Sequence, residues 1–209
     1  MMKLASEGYP YIIIFAATTI VALLLGGKWM VMVSFVITVF MVYFFRDPER
    51  EIPEGEGLFV SPADGRIILI KDVFEKEHLK AAVIEISIFM SPFNVHVNRA
   101  PCDGKIKGIR HNKGKFIAAY KDEASFKNEN IEMTLETKYG DMLVRQVAGY
   151  VARRAVCRAN TGDSLKRGER YGIIKFSSRL DVYIPKDTAV KVKLGDRVKA
   201  GETVIGVIG

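Results

Sequence analysis

Two apolar runs open the chain, Pro10 to Gly26 and Trp29 to Phe45, each of 17 residues, with Lys28 the one charge between Pro10 and Phe45. As helices they measure about 25 Å at ~1.5 Å per residue, slightly under a ~30 Å hydrocarbon core. Gly26-Gly27 reads as a turn. Residues 1–45 are therefore predicted to form a hydrophobic helical hairpin that anchors the chain in a membrane, either just spanning it or re-entering the same leaflet. A cleaved signal peptide does not fit, because a second apolar run follows and no small-residue cleavage site separates the two. Lys3 before the hairpin and Arg46 and Arg50 after it put both ends in the cytoplasm by the positive-inside rule. The expected location is the cell membrane, with the rest of the chain on its cytoplasmic face.

After Asp47-Pro48 the pattern changes to short apolar, β-branched stretches between turn residues. Leu58 to Val60, Arg66 to Val73, Ala81 to Met90, Glu132 to Thr137, Met142 to Ala148 and Arg179 to Ile184 have strand length and composition. Turns are predicted at Ala63-Asp64-Gly65, Asp103-Gly104 and Tyr139-Gly140-Asp141. The polar stretch Ile117 to Asn130 has no period and reads as a long loop. Strands do not alternate with helices, which argues against a parallel Rossmann-type sheet. The predicted class is mainly β, with residues 46–209 forming an antiparallel β sandwich or barrel. Its end, Val190 to Gly209, resembles the turn of biotinyl/lipoyl-like sandwiches, without the exposed lysine hairpin a carrier needs.

The formal charge is +7, of which Lys3 and Lys28 less Glu7 contribute +1, so the β-rich part holds the remaining +6. That excess fits an anionic partner. No helix-turn-helix, zinc-finger or RNA-binding pattern is present, so a membrane surface is expected and nucleic acid is not. Cys102 and Cys157 form no metal-ligand spacing and read as two buried, reduced thiols; no metal is expected. His78 and His111 lie among charged residues and are expected at the surface.

Three local motifs carry candidate chemistry: Ser61-Pro62-Ala63-Asp64-Gly65, Ser91-Pro92-Phe93-Asn94-Val95-His96-Val97-Asn98-Arg99, and Phe176-Ser177-Ser178-Arg179-Leu180-Asp181. They offer an Asp, a His and a Ser, the inventory of a base-activated hydroxyl whose imidazole is oriented by a carboxylate. Each motif alone is weak. On the residues themselves three readings stand: a self-processing lyase, a membrane-anchored serine hydrolase using Asp64, His96 and Ser178, and a non-enzymatic adaptor built on a lipoyl-like sandwich.

The motifs in their order resemble the short, membrane-anchored phosphatidylserine decarboxylases. Phe44-Phe45-Arg46-Asp47-Pro48-Glu49-Arg50 is similar to the family's junction after the hairpin. Pro62-Ala63-Asp64-Gly65, and Val95-His96 followed by Pro101-Cys102-Asp103-Gly104, match the blocks with its Asp and His. Gly114-Lys115-Phe116, Asp122, Ala124-Ser125 and Asn128-Glu129-Asn130 resemble its long loop, and Gln146 to Arg154 another block. The resemblance implies a proenzyme that cuts itself between Ser177 and Ser178. Ser178 would attack the preceding carbonyl, the ester would undergo β-elimination, and the resulting dehydroalanine would hydrolyse to a pyruvoyl group. The products would be a β chain, residues 1–177, and an α chain, residues 178–209. The implied reaction is decarboxylation of a serine phospholipid to the ethanolamine phospholipid through a Schiff base with that pyruvoyl group. His96 would be the base that activates Ser178 and the later proton donor, and Asp64 would orient His96. Chemically, loss of CO₂ from an α-amino acid leaves a carbanion that needs an electron sink, and an imidazole titrates near neutral pH. A diacyl and an ether-linked archaeal serine lipid present the same head group, so the resemblance extends to archaetidylserine decarboxylation.

Arg153 and Arg154 are candidates for gripping the lipid phosphate, because guanidinium pairs with phosphate oxygens in bidentate fashion. Neighbours on a strand point to opposite faces, so one of the two is expected at the site. Phe93 is a candidate for lining the substrate pocket, while Ile88-Phe89-Met90 reads as core. Expected partners are the phospholipid, the membrane surface, the cleaved chains of the protein itself and a second copy in a homodimer. The family usually has glycine before the reactive serine, and here Ser177 stands there. Glycine adopts backbone angles that cost other residues free energy, so the chain is expected to linger as an unprocessed precursor. Ser177→Gly should speed the appearance of two bands on a denaturing gel; equal cleavage rates for the two proteins would contradict this.

Overall fold

The computed structural model describes residues 3–114, 128–149, 154–176 and 178–209. Two compact units are present, Met1–Glu49 and Arg50–Gly209. In the first, helix α1 (Tyr9–Leu24) carries Pro10 in its opening turn, where a missing N–H costs nothing. Gly26, at φ +71°, turns the chain into α2 (Lys28–Phe44). Strand β1 (Lys3–Leu4) pairs antiparallel with β2 (Arg46–Asp47), so the chain enters and leaves the hairpin at one end. That end is packed: Phe44 and Phe45 are fully buried, and Tyr11 stacks on Phe45 with ring centroids 5.5 Å apart. Away from it the helices display apolar surface, with Leu24 80% and Trp29 78% exposed. Ser6–Leu24 is long and apolar enough to cross a membrane; Lys28–Phe44, at 17 residues, is shorter.

The second unit is antiparallel β throughout its recorded pairings. Its strands are β3 (Leu58–Val60), β4 (Gly65–Glu75), β5 (Ala81–Met90), β6 (Val97–Arg99), β7 (Gly104–Asn112), β8 (Asn130–Thr137), β9 (Gly140–Ala148) and β10 (Ala155–Cys157). After these come β11 (Ser164–Leu165), β12 (Arg170–Ile174), β13 (Ser178–Pro185), β14 (Ala189–Val190), β15 (Arg197–Val198) and β16 (Val204–Val207). The main sheet has the order β11-β7-β8-β9-β13-β5-β4-β15, and two three-stranded sheets, β10-β12-β6 and β14-β16-β3, accompany it. One face of the main sheet joins the core: Ile86 and Ile88 from β5, Val144 from β9, Met133 from β8, and Leu180 and Val182 from β13. Tyr171 and Ile174 of β12 and Ile205 of β16 belong to the same cluster. The C-terminal turn between β15 and β16 is present as the sequence indicated.

The other face is polar and also buried. Glu85, Ser87, Arg179, Asp181, Arg145 and Glu132 are each at most 4% exposed. The sheet curls over this face into a half-barrel. In a flat sheet β4 and β8 would lie about 19 Å apart, at ~4.8 Å per strand. Yet His78, in the β4–β5 turn, places Nε2 3.0 Å from Glu132 Oε2, and Arg110 of β7 donates to Glu77 at 2.6 Å. His78 is thereby half-buried in a network, which corrects the surface role expected of it; His111 is exposed, as expected. Strand β7 was not among the predicted strands, and Asn130, assigned to a loop, begins β8.

The network is continuous. Arg145 donates to Glu132 and to the Tyr183 hydroxyl, which donates to Glu85 at 3.2 Å. Arg179 donates to Asp181 at 2.5 Å and to Ser87 at 2.8 Å. Burial alone would raise the Glu132 carboxyl, but the Arg145 charge and hydrogen bonds from Asn112, Arg145 and His78 outweigh it and hold the group below its ordinary value. The Glu75 carboxyl is also held low: burial is outweighed by the backbone N–H groups of Leu79, Glu77 and His78. A carboxyl held low in the folded state contributes stability above its unfolded value, ~4.3 for glutamate, and that contribution is lost as pH falls through the lower folded value. Glu132→Gln leaves Arg145 without its buried counter-charge. It should lower the unfolding free energy by about 3 kcal/mol at neutral pH and flatten the loss of stability below about pH 4. Denaturant titration of the detergent-solubilised protein at both pH values measures this; an unchanged midpoint would contradict it.

Candidate active site

Ser178 is the first residue of β13 and is fully buried. Two ladders hold it, opposite Met90 of β5 and Ala148 of β9. Its Oγ lies 3.3 Å from Met90 Sδ. The same thioether is 3.9 Å from Asn98 Nδ2, and Gln146 Nε2 donates to Asn98 Oδ1 at 2.8 Å. Just before Ser178 the backbone is strained. Phe176 has φ +58°, a left-handed conformation rare for a bulky residue. The chain thus bends at Phe176, between β12, which ends at Ile174, and β13, which begins at Ser178.

His96 lies against the end of β12. Ile174 N–H donates to His96 O at 3.3 Å, and the following strand β6 pairs with β12. The imidazole is fully buried, with Nδ1 3.0 Å from the Asn94 carbonyl oxygen. A carbonyl only accepts, so Nδ1 carries a proton, and in the neutral ring the lone pair sits on Nε2. That is the tautomer a general base needs. The turn delivering it is fixed by Asn94, whose Oδ1 accepts from Ser91 N–H at 2.9 Å and Ser91 Oγ at 2.8 Å.

Asp64 sits in the turn between β3 and β4, where the chain must pass close to β5. A Cβ on Gly65 would meet Phe89 O at 2.2 Å, which explains the glycine after the aspartate. Both Asp64 oxygens accept from Arg50 Nη2, at 2.9 and 2.8 Å, and Oδ1 also accepts from Ala200 N–H at 2.8 Å. Arg50 further approaches Glu202 at 3.4 Å. The carboxylate is thus gripped from both flanks, by the segment after the hairpin and by the C-terminal turn. Asp64, Ser91 and Asn94 line one cavity of about 560 Å³. Asp64 is on the wall of this cavity; His96, bonded to the Asn94 carbonyl, and Ser178, opposite Met90 in the ladder, are not among its lining residues.

Other predicted residues separate. Ser177 and Arg153 lie outside the described residues. Arg154 is exposed, and Phe93, 67% exposed, stands at the tip of the Ser91–Asn94 turn. Ile88 and Met90 are core, whereas Phe89 lines the cavity from the opposite face. Sequence reasoning missed the work of Asn94, Arg50 and Ala200. The Ser-Pro-x-Asn spacing was a turn signal that could have exposed Asn94, whereas the Arg50 and Ala200 contacts span 14 and 136 residues and had no local signal.

The sequence model for phosphatidylserine decarboxylase matches residues 37–206. Proteins named phosphatidylserine decarboxylase proenzyme are similar along nearly the whole chain. The one from Citrifermentans bemidjiense is 50% identical over 98% of this chain and 96% of its own length. That from Geotalea uraniireducens is 46% identical over 98% and 96% of the two chains, and that from Syntrophus aciditrophicus 45% identical over 97% and 96%. Matches of that extent, spanning all three motifs, settle the kinship: the chain belongs to the phosphatidylserine decarboxylase family.

Proposed function

We propose that this chain decarboxylates phosphatidylserine after cutting itself between Ser177 and Ser178. The observation that carries the reading is the placement of Ser178, buried at the head of a central strand two residues after the left-handed Phe176, together with a buried His96 whose tautomer leaves the Nε2 lone pair for a proton. Ser178 Oγ attacks the carbonyl of residue 177 and gives its proton to His96; the Ser178 nitrogen takes a proton as the C–N bond breaks, leaving an ester. Asp64, fixed by Arg50 and Ala200, acts as a positioning residue for His96.

The residues present fit the pyruvoyl group that this processing would leave. Cleavage falls before the first residue of β13, so both ladders survive it and hold the new terminus in place. A pyruvoyl carbonyl supplies the electron sink that decarboxylation needs. The protein's own part is to admit the head group, hold it out of bulk water and return a proton from His96 to the substrate carbon. A serine hydrolase would need an accessible nucleophile, and Ser178 is fully buried.

The hairpin is proposed to seat in the membrane, its exposed apolar side chains facing lipid and both ends on the cytoplasmic side. The pairing of β1 with β2 supports a shared side for the two ends, and Lys3 and Arg46 support the cytoplasmic one. Phe93 and Arg154 are proposed to meet the lipid, and a homodimer is the proposed assembly.

Ser178→Ala should remain a single band and release no CO₂ from phosphatidylserine. His96→Ala, folded by circular dichroism, should cleave at least ~100-fold more slowly, and Asp64→Asn should slow cleavage less. Normal cleavage by His96→Ala would overturn the assignment of the base. The two fragments of the processed protein should elute together in native gel filtration and separate only on denaturation; separation under native conditions would contradict the retained ladders.

A further inference from the structure

Arg66 and Arg197 form an unusual pair. They are direct cross-strand partners, β4 to β15, on the same face of the sheet. Like charges placed opposite each other destabilise a ladder. Neither makes an ion pair among the described residues, whereas Arg50, Arg110, Arg145 and Arg179 all do. Lys199 follows two residues after Arg197, its ammonium exposed and 3.3 Å from Glu202. All three cations line the 560 Å³ cavity that holds Asp64, Ser91 and Asn94. That volume is within the range of small-molecule sites.

We infer that Arg66, Arg197 and Lys199 form a clamp for the phosphodiester of the substrate lipid. The assignment rests on the decarboxylase reading and extends it to the head-group contact. A phosphodiester placed between the two guanidinium groups would turn their mutual repulsion into two charge-assisted contacts. The same cavity is lined by Asn94, whose carbonyl oxygen accepts from His96 Nδ1. Two strands, about 10 Å at ~4.8 Å per strand, separate Arg66 from Ser178, and the ladder puts their side chains on opposite faces, so a head group held at the cations would reach residue 178 around the head of β13. Asp64 is already neutralised by Arg50, so it does not compete for these cations. Phe89, opposite Arg66 in the ladder, supplies an apolar floor.

The test compares the full-length protein with Arg66→Gln/Arg197→Gln in detergent. Substrates are phosphatidylserine in mixed micelles and glycerophosphoserine, which keeps the phosphodiester and lacks acyl chains. Loss of the clamp should raise KM about 10- to 100-fold for both, with kcat changed little. Inorganic phosphate should inhibit the unaltered protein competitively and the variant much more weakly. The variant should self-cleave normally and melt no lower, because removing a like-charge pair relieves strain in the fold. A KM raised for micelles alone would mean that the cations read the lipid surface and would overturn the clamp, as would unchanged KM values. Failure of the decarboxylase reading itself is distinguishable, since the unaltered protein would then release no CO₂ from either substrate. Binding of glycerophosphoserine by calorimetry would still test the clamp, and equal affinity for the two proteins would refute it.

Discussion

Everything in the site depends on β13 being a central strand. Hydrogen-bonded to β5 and β9 along most of its length, it is the last element that local opening would release. Its first residue is therefore held as rigidly as the core. A hydroxyl on a loop would have to be ordered before reacting, at an entropic cost of about 1–2 kcal/mol per residue. Here the ladders meet that cost. Two residues before Ser178, Phe176 adopts left-handed angles, so backbone strain lies close to the proposed cleavage point.

The same sheet separates two environments. One face packs aliphatic side chains into the core. The other buries a chain of charges from Arg179 to Glu132, closed over by the β4–β5 hairpin. A buried ion network is weak evidence of stability, because desolvation offsets much of the Coulomb gain. It does demand one register: a slip by one residue would put Arg179 and Asp181 into the apolar core. Since β13 carries Ser178 as well, the network on one face fixes where the hydroxyl sits on the other. Where the sheet ends, at β4 and β15, the charges lose their counter-ions and face the cavity.

Much of this was legible in the sequence. The bounds of β5 and β3 follow from their apolar runs, and the hairpin from two unbroken stretches around Gly26-Gly27. Strand β7 was hidden because Lys105, Lys107 and Arg110 crowd it and a bulge between Ile106 and Gly108 breaks the alternation. Nothing local in the sequence announces that the sheet curls over the polar positions of β8, β9 and β13. Cys102 was read as a buried, reduced thiol; burial pushes it up to about 12, and it packs on Met142. At the site, residue types and order pointed to Asp64, His96 and Ser178. The means of holding them, a backbone carbonyl for the imidazole and an arginine with an amide for the carboxylate, arise from contacts between distant segments.

The central claim is that Ser178, at the head of β13, becomes a pyruvoyl group: its hydroxyl oxygen leaves with the upstream chain as a carboxylate, and water replaces its nitrogen, released as ammonia, to give the ketone. Intact-mass spectrometry of the purified full-length protein tests it most directly, before and after borohydride reduction. The account predicts two fragments, residues 1–177 and 178–209, the smaller lighter than its unmodified peptide and gaining two hydrogens on reduction. A single mass corresponding to the uncut chain after prolonged incubation, or a small fragment beginning with an ordinary amine, would contradict it.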